Sequence, residues 1–576
     1  MRLYLSVFFF ASCLSMSAQL TSTRFEKSGG TQTPAYPEII DWWQKIDQAS
    51  GKVKMLTMGM TDAGFPLHLV VVSENGDTDF GAIRKRNKRI ILINNGIHPG
   101  EPDGIDASML LARDIVEKKY VLPSNVVLAF IPVYNIGGCL NRSANYRVDQ
   151  DGPEEFGFRG NSQNFDLNRD FIKGDTRDAR AFAEIFHLLD PDVFVDNHVS
   201  NGADYQHVMT LLTSQHNKLG GVMGEFMHDQ FEPALFTRMK EKGYDLVPYV
   251  NFWGSSKVED GWQEFWDSPR YGSGYASLWN SFAFVPETHM LKPYLQRVNS
   301  TYALMQSFIE FTSINSDQIR ATREKAKQAT IAASSFPLRW IADRGTSRKI
   351  TFRGYESGMK TSDVSGLPRL YYDRTRPFVK EVPFYDGYKV TAEVTKPRAY
   401  IIPQGWWKVI DLLKLNKVSM RSFRSDTTLE VEVYHIEEFK SGTRPYEGHH
   451  LNTDIKLRSS MEKVTYRKGD YFIPMNQAAN RFIVETLEPL AEDSYFAWNF
   501  FDGILGQKEG YSAYAFEDIA AGYLKDNPGL RAKLDERRTA DSAFATNASA
   551  QLNFVYQQSK WMEPSYLRYP VTRLVR

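Results

Sequence analysis

From Tyr36 to about Ser316 the chain alternates short apolar runs with stretches of helical spacing. The runs Leu69–Ser73, Arg89–Asn94 and Val126–Pro132 are almost continuous in Val, Ile, Leu and Phe, which predicts strands buried on both faces. Gly104–Val116 and Asp178–Phe186 place their apolar residues three and four apart, which predicts helices. This alternation predicts an α/β fold, a mixed and mostly parallel sheet with helices on both faces, closed by a charged helix at Ser316–Ser334. Beyond Phe336 the period falls to two. Lys349–Tyr355, Tyr388–Val394, Ala399–Pro403 and Leu429–His435 alternate polar and apolar residues between Pro- and Gly-containing turns, as half-buried strands of a β-sandwich-like module do. From Ser494 helical spacing returns, beginning with the aromatic segment Tyr495–Phe501. The expected organisation is therefore a flexible lead-in over 19–35, an α/β domain over 36–335, a β-rich domain over 336–493 and a mainly helical region over 494–576.

Three apolar runs end in groups capable of chemistry. Arg89–Asn94 leads through Gly96 into His98-Pro-Gly-Glu101, an imidazole and a carboxylate three residues apart at a strand end. A second run from Pro191 delivers His198, and a third from Phe282 delivers Glu287. Two His and one Glu make an open zinc site, with three protein ligands and a fourth position for water. Glu287 supplies the base that such chemistry needs. In a parallel α/β sheet, functional groups gather outside the carboxyl ends of the strands, so three such ends point to one place. Asn164–Asp170 contributes Asn168 and Arg169: a guanidinium holds a carboxylate through two parallel hydrogen bonds, and the amide adds a donor.

Gly96-Ile-His98-Pro-Gly-Glu101, Asp166-Leu-Asn168-Arg169, Asp196-Asn-His198 and Phe284-Val-Pro-Glu287 come in the order and at about the spacing found in zinc carboxypeptidases, and the chain resembles that superfamily over roughly residues 36 to 315. The resemblance implies one zinc ion on His98, Glu101 and His198, Glu287 as general base, and Asn168 with Arg169 as the clamp for a terminal carboxylate. It also implies Asp166 as the carboxylate that orients the first zinc His. The family's carbonyl-polarising Arg falls in a window holding Arg142, Arg147 and Arg159. The flanking glycines favour Arg159, with Arg147 close behind. The family's mobile Tyr before the base corresponds to Tyr271, with Tyr275 as the alternative. The implied function is a secreted zinc metallocarboxypeptidase acting on peptides with a free carboxylate. Peptidoglycan stem peptides or N-acyl amino acids are the alternative substrates for the same site, and a non-catalytic surface binding protein is the less favoured reading.

Composition adds limits. The 576 residues carry 69 Lys plus Arg and 69 Asp plus Glu, so net charge is zero and no basic excess points to nucleic acid or an acidic membrane. One positive charge, a short apolar core and small residues up to Ala18 read as a secretory signal at 1–18, too short to span a bilayer. No later stretch is long and apolar enough to cross a membrane. Phe10-Ala-Ser-Cys13 loosely resembles a lipoprotein box, the minority alternative to plain export. Of the two cysteines, only Cys139 lies beyond the signal, so no intrachain disulfide is expected, which suits a bacterial envelope protein. With no base nearby in sequence, Cys139 reads as a buried, inert thiol. His449-His450 reads as a surface loop, and His207 carries no assigned role. The sequence leaves the oligomeric state open.

Overall fold

The computed structural model describes residues 22–251 and 257–575, so the expected signal, with Cys13, lies outside the described residues. The chain divides into two compact units, Met1–Gln328 with Ile341–Lys389, and Ala329–Trp340 with Val390–Arg576.

In the first unit a nine-stranded sheet forms from β1 (Val53–Met60), β2 (Pro66–Val72), β3 (Arg89–Asn94), β4 (Val126–Ile131), β5 (Val193–Asp196), β6 (His198–Ser200), β7 (Met209–Thr213) and β8 (Val247–Pro248), followed, after the short β9 (Trp262–Gln263) outside this sheet, by β10 (Phe282–His289). The order is β1-β2-β4-β3-β5-β10-β7-β8, with β6 beside β10. The centre is parallel: β3 pairs with β4 and β5, and β10 with β5 and β6. β1–β2, β2–β4 and β7–β10 are antiparallel. The mixed, mostly parallel sheet is the predicted one.

Both faces are covered, which explains why its strands read as continuous apolar runs. Every residue of β3 and β4 is buried. Ile91, Ile93, Val193 and Val195 join one core with Ile105 and Leu111 of the helix Asp103–Val116 and Phe308 of the helix Tyr294–Ile314. Phe194, pointing the other way, meets Phe182 and Phe186 of the helix Arg177–Leu189, with ring centroids 5.6 and 6.3 Å apart. Cys139 is buried, and burial pushes its thiol up to about 12, as an inert core thiol requires.

Residues 22–35, expected as a flexible lead-in, instead contain a capped helical turn at Arg24–Lys27. Thr23 and Glu26 form its capping box, and Phe25 is buried against Tyr294, ring centroids 5.6 Å apart. The Ser/Thr/Gly composition of this stretch hid the single apolar residue that anchors it.

After β11 (Ser335–Asp343) a long hairpin forms from β12 (Arg348–Thr361) and β13 (Pro368–Tyr385), ahead of β14 (Gly387–Thr395). Its root lies in the first unit. Phe352, Val382 and Phe384 bury with Ala203, Tyr205 and Trp262, and β13 pairs in parallel with β9. The second unit is β-rich and then helical, as predicted. Its six-stranded sheet orders β16 (Arg421–Ser422), β19 (Tyr471–Pro474), β15 (Ala399–Ile402), β20 (Thr572–Leu574), β17 (Thr427–Ser441) and β18 (Asn452–Tyr466). The helices Ala513–Asp526, Pro528–Ala540 and Ala548–Gln557 bury their own core around Phe516, Leu534 and Leu552.

Candidate metal centre and pocket

β3 ends at Asn94, and Gly96, at a φ of 64°, turns the chain out of the sheet in a conformation that favours glycine. The backbone N–H of Glu101 then donates to the carbonyl of His98 at 2.8 Å, closing a tight turn that puts both side chains on one side. The following helix begins at Asp103, and Gly104 approaches so closely that a Cβ there would lie 2.5 Å from Asn95 Oδ1 and 2.6 Å from Asn197 Cβ. Asn197 in turn donates to Asn95 at 2.9 Å, which ties the turn after β3 to the break between β5 and β6. His198 opens β6 and is the register partner of Glu287 on β10. The turn after β3, the start of β6 and the interior of β10 therefore bring His98 with Glu101, His198 and Glu287 to one spot.

His98, Glu101 and His198 each offer a ligand atom within 4.8 Å of the others, and all three residues are buried. Both imidazoles present Nδ1 to the same carboxylate oxygen, Glu101 Oε2, at 3.3 Å from His98 and 3.1 Å from His198. Their Nε2 atoms face outward to other carboxylates, His98 to Asp166 Oδ1 at 2.9 Å and His198 to Asp196 Oδ2 at 3.3 Å. Two imidazoles with converging nitrogens, each backed by a carboxylate, plus one glutamate is the donor set that suits zinc.

Burial acts against charge at Glu101, but His98, Arg147 and His198 outweigh it and hold the carboxyl well below its usual range. Burial likewise opposes the imidazolium of His198, and Asp196, with Glu101 and Glu287, lifts it well above the ordinary value. Asp166 is half-buried, and although desolvation opposes its charge, His98, Arg159 and Arg169 keep it ionised far below the normal carboxylate range. Glu287 behaves in the opposite sense: burial, with Glu101 adding, pushes it up to about 8.

These groups open on a cavity of about 400 Å³, also lined by Arg147, Arg159, Asn168, Arg169 and Tyr271. Arg159 donates to Asp166 Oδ2 at 3.0 Å and comes within 3.3 Å of His98 Nδ1. Arg147 donates to Glu101 Oε1 at 2.8 Å and to the Val199 carbonyl. Arg142 is outside the cavity and donates to the carbonyls of Thr33, Pro34 and Glu155. Asn168 and Arg169 lie in a short turn capped by Asp166, and the Arg169 guanidinium stacks over Tyr271, 4.5 Å from the ring centre. Tyr275 is fully buried in the aromatic core, its hydroxyl 3.1 Å from His187 Nε2. Of the two tyrosines, the cavity thus takes Tyr271.

Sequence reading gave no role to Asp196, although its signal was present: on an extended strand a residue two before His198 shares its face. The apolar wall of the cavity, Leu212, Tyr249, Phe265 and Val285, was also unassigned. Val285 stands two before Glu287 and pairs with Leu212 across the sheet, whereas nothing local marks Tyr249 or Phe265.

Residues 39–205 match the zinc carboxypeptidase family, a match that covers under a third of the chain. "Carboxypeptidase 2" of Trichophyton equinum is 21% identical over 426 residues, spanning 71% of this chain and 73% of that protein. The Trichophyton rubrum protein of the same name is 20% identical over 422 residues, spanning 70% and 72%. These curated relatives are fungal, so they lend no support to a bacterial source. Among solved structures, the metallo-carboxypeptidase from Pseudomonas aeruginosa in complex with (2-guanidinoethylmercapto)succinic acid is 13% identical, with a TM-score of 0.36 over 50% of this chain and 69% of that one. The carboxypeptidase A from Helicoverpa armigera is 12% identical, with a TM-score of 0.35 over 49% and 74%. The segment 39–205 is a zinc carboxypeptidase family domain, and the chain is a metallopeptidase of the hydrolase class. Zinc is its cofactor, with His98, Glu101 and His198 as the group able to hold it.

Proposed function

We propose that this chain is an exported metallocarboxypeptidase that hydrolyses the C-terminal peptide bond of peptides. One observation carries the reading: the His98–Glu101–His198 group, Glu287 and the Asn168–Arg169 pair all line one cavity. Zinc held by His98, Glu101 and His198 would supply Lewis acidity, lowering the pKa of water there to about 7. Glu287 takes a proton from the attacking water on its carboxylate and returns it to the nitrogen of the departing amino acid. Arg159, held from behind by Asp166, donates to the carbonyl oxygen as negative charge develops there. Arg169 and Asn168 hold the substrate's terminal carboxylate, and Tyr271 packs on the Arg169 guanidinium to fix its direction.

Leu212, Tyr249, Phe265 and Val285 give the cavity an apolar side, and among its described lining residues only Glu101 and Glu287 are acidic. An apolar or aromatic C-terminal residue is therefore preferred over a basic one. All catalytic groups precede residue 288. Residues 1–18 are the export signal, so the mature chain begins at Gln19.

Purified protein is to be incubated with matched peptides bearing free or amidated C-termini, and its metal content measured. Stepwise loss of single residues from free-carboxylate peptides only, with about one zinc per chain that a chelator removes together with activity, is the expected result. Release of internal fragments, or turnover confined to muropeptides or N-acyl amino acids, would overturn the peptide carboxypeptidase reading.

A further inference from the structure

A second cavity, of about 260 Å³, lies against the hairpin β12–β13. Its apolar surface comes from Phe352, Tyr355, Met359, Leu370, Tyr372 and Phe378, and its far side from Ala203, Asp204 and Lys257–Glu259. One stretch of chain connects it with the metal-bearing cavity. Ser200 and Asn201 line the first cavity, and Ala203 and Asp204, two residues on, line the second.

The loop between β6 and β7 is fastened to the hairpin along its length. Gln206 N donates to the Arg353 carbonyl at 2.9 Å, its side chain donates to Gly354 O at 2.8 Å and Phe378 O at 3.0 Å, and Asp204 pairs with Arg374 at 2.6 Å. The strand that bears His198 thus runs directly into a wall built by the hairpin.

Four of the five charged residues that line this second cavity, all but Lys257, are held in ion pairs. Lys380 pairs with Glu259 at 2.7 Å and with Glu356 at 3.6 Å while covering the Phe378 ring at 4.1 Å, and Asp204 is held by Arg374. What remains open is apolar and aromatic: Met359 is 63% exposed, and Tyr355, Leu370, Tyr372 and Phe378 are half-buried. Ligand pockets that enclose a whole small molecule measure about 300–1,000 Å³. The smaller cavity here suits one or two side chains of a longer ligand.

We propose that this groove binds an apolar or aromatic side chain of the peptide substrate, upstream of the bond hydrolysed in the metal-bearing cavity. The proposal rests on the peptidase reading above. The hairpin, which lies outside the matched family segment, thereby adds selectivity for the body of the peptide to a site that otherwise reads its carboxyl end.

The test compares zinc-loaded wild type with Tyr372→Ala and Met359→Asp. The substrates are a blocked dipeptide and octapeptides in which one Phe is scanned through the upstream positions. At the Phe position that fills the groove, the octapeptide-to-dipeptide ratio of kcat/KM is expected to fall roughly tenfold in each variant, through KM, which is the effect of losing one hot-spot contact. Met359 is exposed, so Met359→Asp keeps the test open if Tyr372→Ala fails to fold. Calorimetric titration of the same octapeptides into the zinc-loaded proteins separates the two readings. If wild type hydrolyses peptides and the variants leave both ratio and binding unchanged, the groove is overturned and the peptidase reading stands. If wild type hydrolyses neither substrate but binds octapeptides more tightly than the variants, the groove stands and the peptidase reading falls. If wild type neither cleaves nor binds them, both fall.

Discussion

Two hairpins of similar length and alternation end up with different work. β12–β13 has strands of 14 and 18 residues, and β17–β18 has two of 15. Both expose polar residues along much of their length and bury a few apolar residues in a cluster near the open end. In β17–β18 that cluster is Val431 and Val433, in a small core with Ile401 and Tyr466 of the second unit's own sheet. In β12–β13 it is Phe352, Val382 and Phe384, packed on Ala203 and Tyr205 from the loop that follows His198. A period of two says which side of a strand is apolar, and no more. Whether a hairpin serves only its own sheet or shapes a neighbouring site depends on the surface that its buried end covers.

The largest expected effect separates the strand-end chemistry from both hairpins. Glu287→Gln keeps the side-chain shape and removes the base, so kcat should fall by about 10²–10⁴. Zinc content and melting midpoint should stay at wild-type values, read by metal analysis and calorimetry. Near-wild-type turnover with zinc bound would remove Glu287 from its proposed role and leave the strand ends no more special than the hairpin roots.

A smaller pair of effects tests the hairpins against each other. Phe352→Ala should cost about 3–5 kcal/mol and Ile401→Ala about 2–5 kcal/mol, the usual range for truncating a fully buried side chain of each kind. Denaturant melts read both. Of the folded variants, only Phe352→Ala should also lower kcat/KM for peptides, because only that root supports the loop carrying Asn201 into the cavity. Equal kinetic loss in both, or in neither, would break the comparison.

Much of the fold was legible because a doubly covered parallel sheet writes continuous apolar runs: Arg89–Asn94 emerges as a strand of those bounds, and the run Val126–Pro132 as the strand Val126–Ile131. The converging site was legible where a titratable group directly follows such a run, as at His98, Glu101, His198 and Glu287. It faded where a side chain acts from a loop. Arg142, Arg147 and Arg159 share a window of sequence, and only their partners in space distinguish them: Arg142 meets backbone carbonyls outside the cavity lining, Arg147 meets Glu101, and Arg159 meets Asp166. Tyr249 and Phe265 reach the cavity from chain with no periodic signature. The placement of β12–β13 was illegible for a related reason, since its partner Ala203–Gln206 is itself a loop. In each case what is missing from the sequence is the identity of a contact far away along the chain.

The smallest effect expected is a pH dependence at the seam between β12 and the loop after β6. His207, buried there, donates from Nδ1 to the Asp245 carbonyl at 2.9 Å and accepts at Nε2 from the Arg353 N–H at 3.1 Å. Both nitrogens are satisfied only in the neutral ring, because a proton on Nε2 would point at the Arg353 N–H. Burial, against a partial offset from the Asp245 carbonyl, lowers its pKa from 6.5 to about 4. A His with a depressed folded-state pKa contributes stability that is fully present above its unfolded value and is lost as pH falls from 6.5 through 4. At about 1.4 kcal/mol per unit, the loss by pH 4 approaches, as an upper bound, about 3 kcal/mol. Gln at 207 can offer one donor and one acceptor to the same partners without titrating. Melting midpoints taken from pH 7 down to pH 5 should therefore fall less steeply for His207→Gln than for wild type. The second hairpin offers the contrast: His435 is only partly buried, and replacing it should flatten the profile less. Parallel profiles for wild type and His207→Gln would show that the seam does not depend on a neutral imidazole, and the first hairpin would then be held to its loop by packing alone.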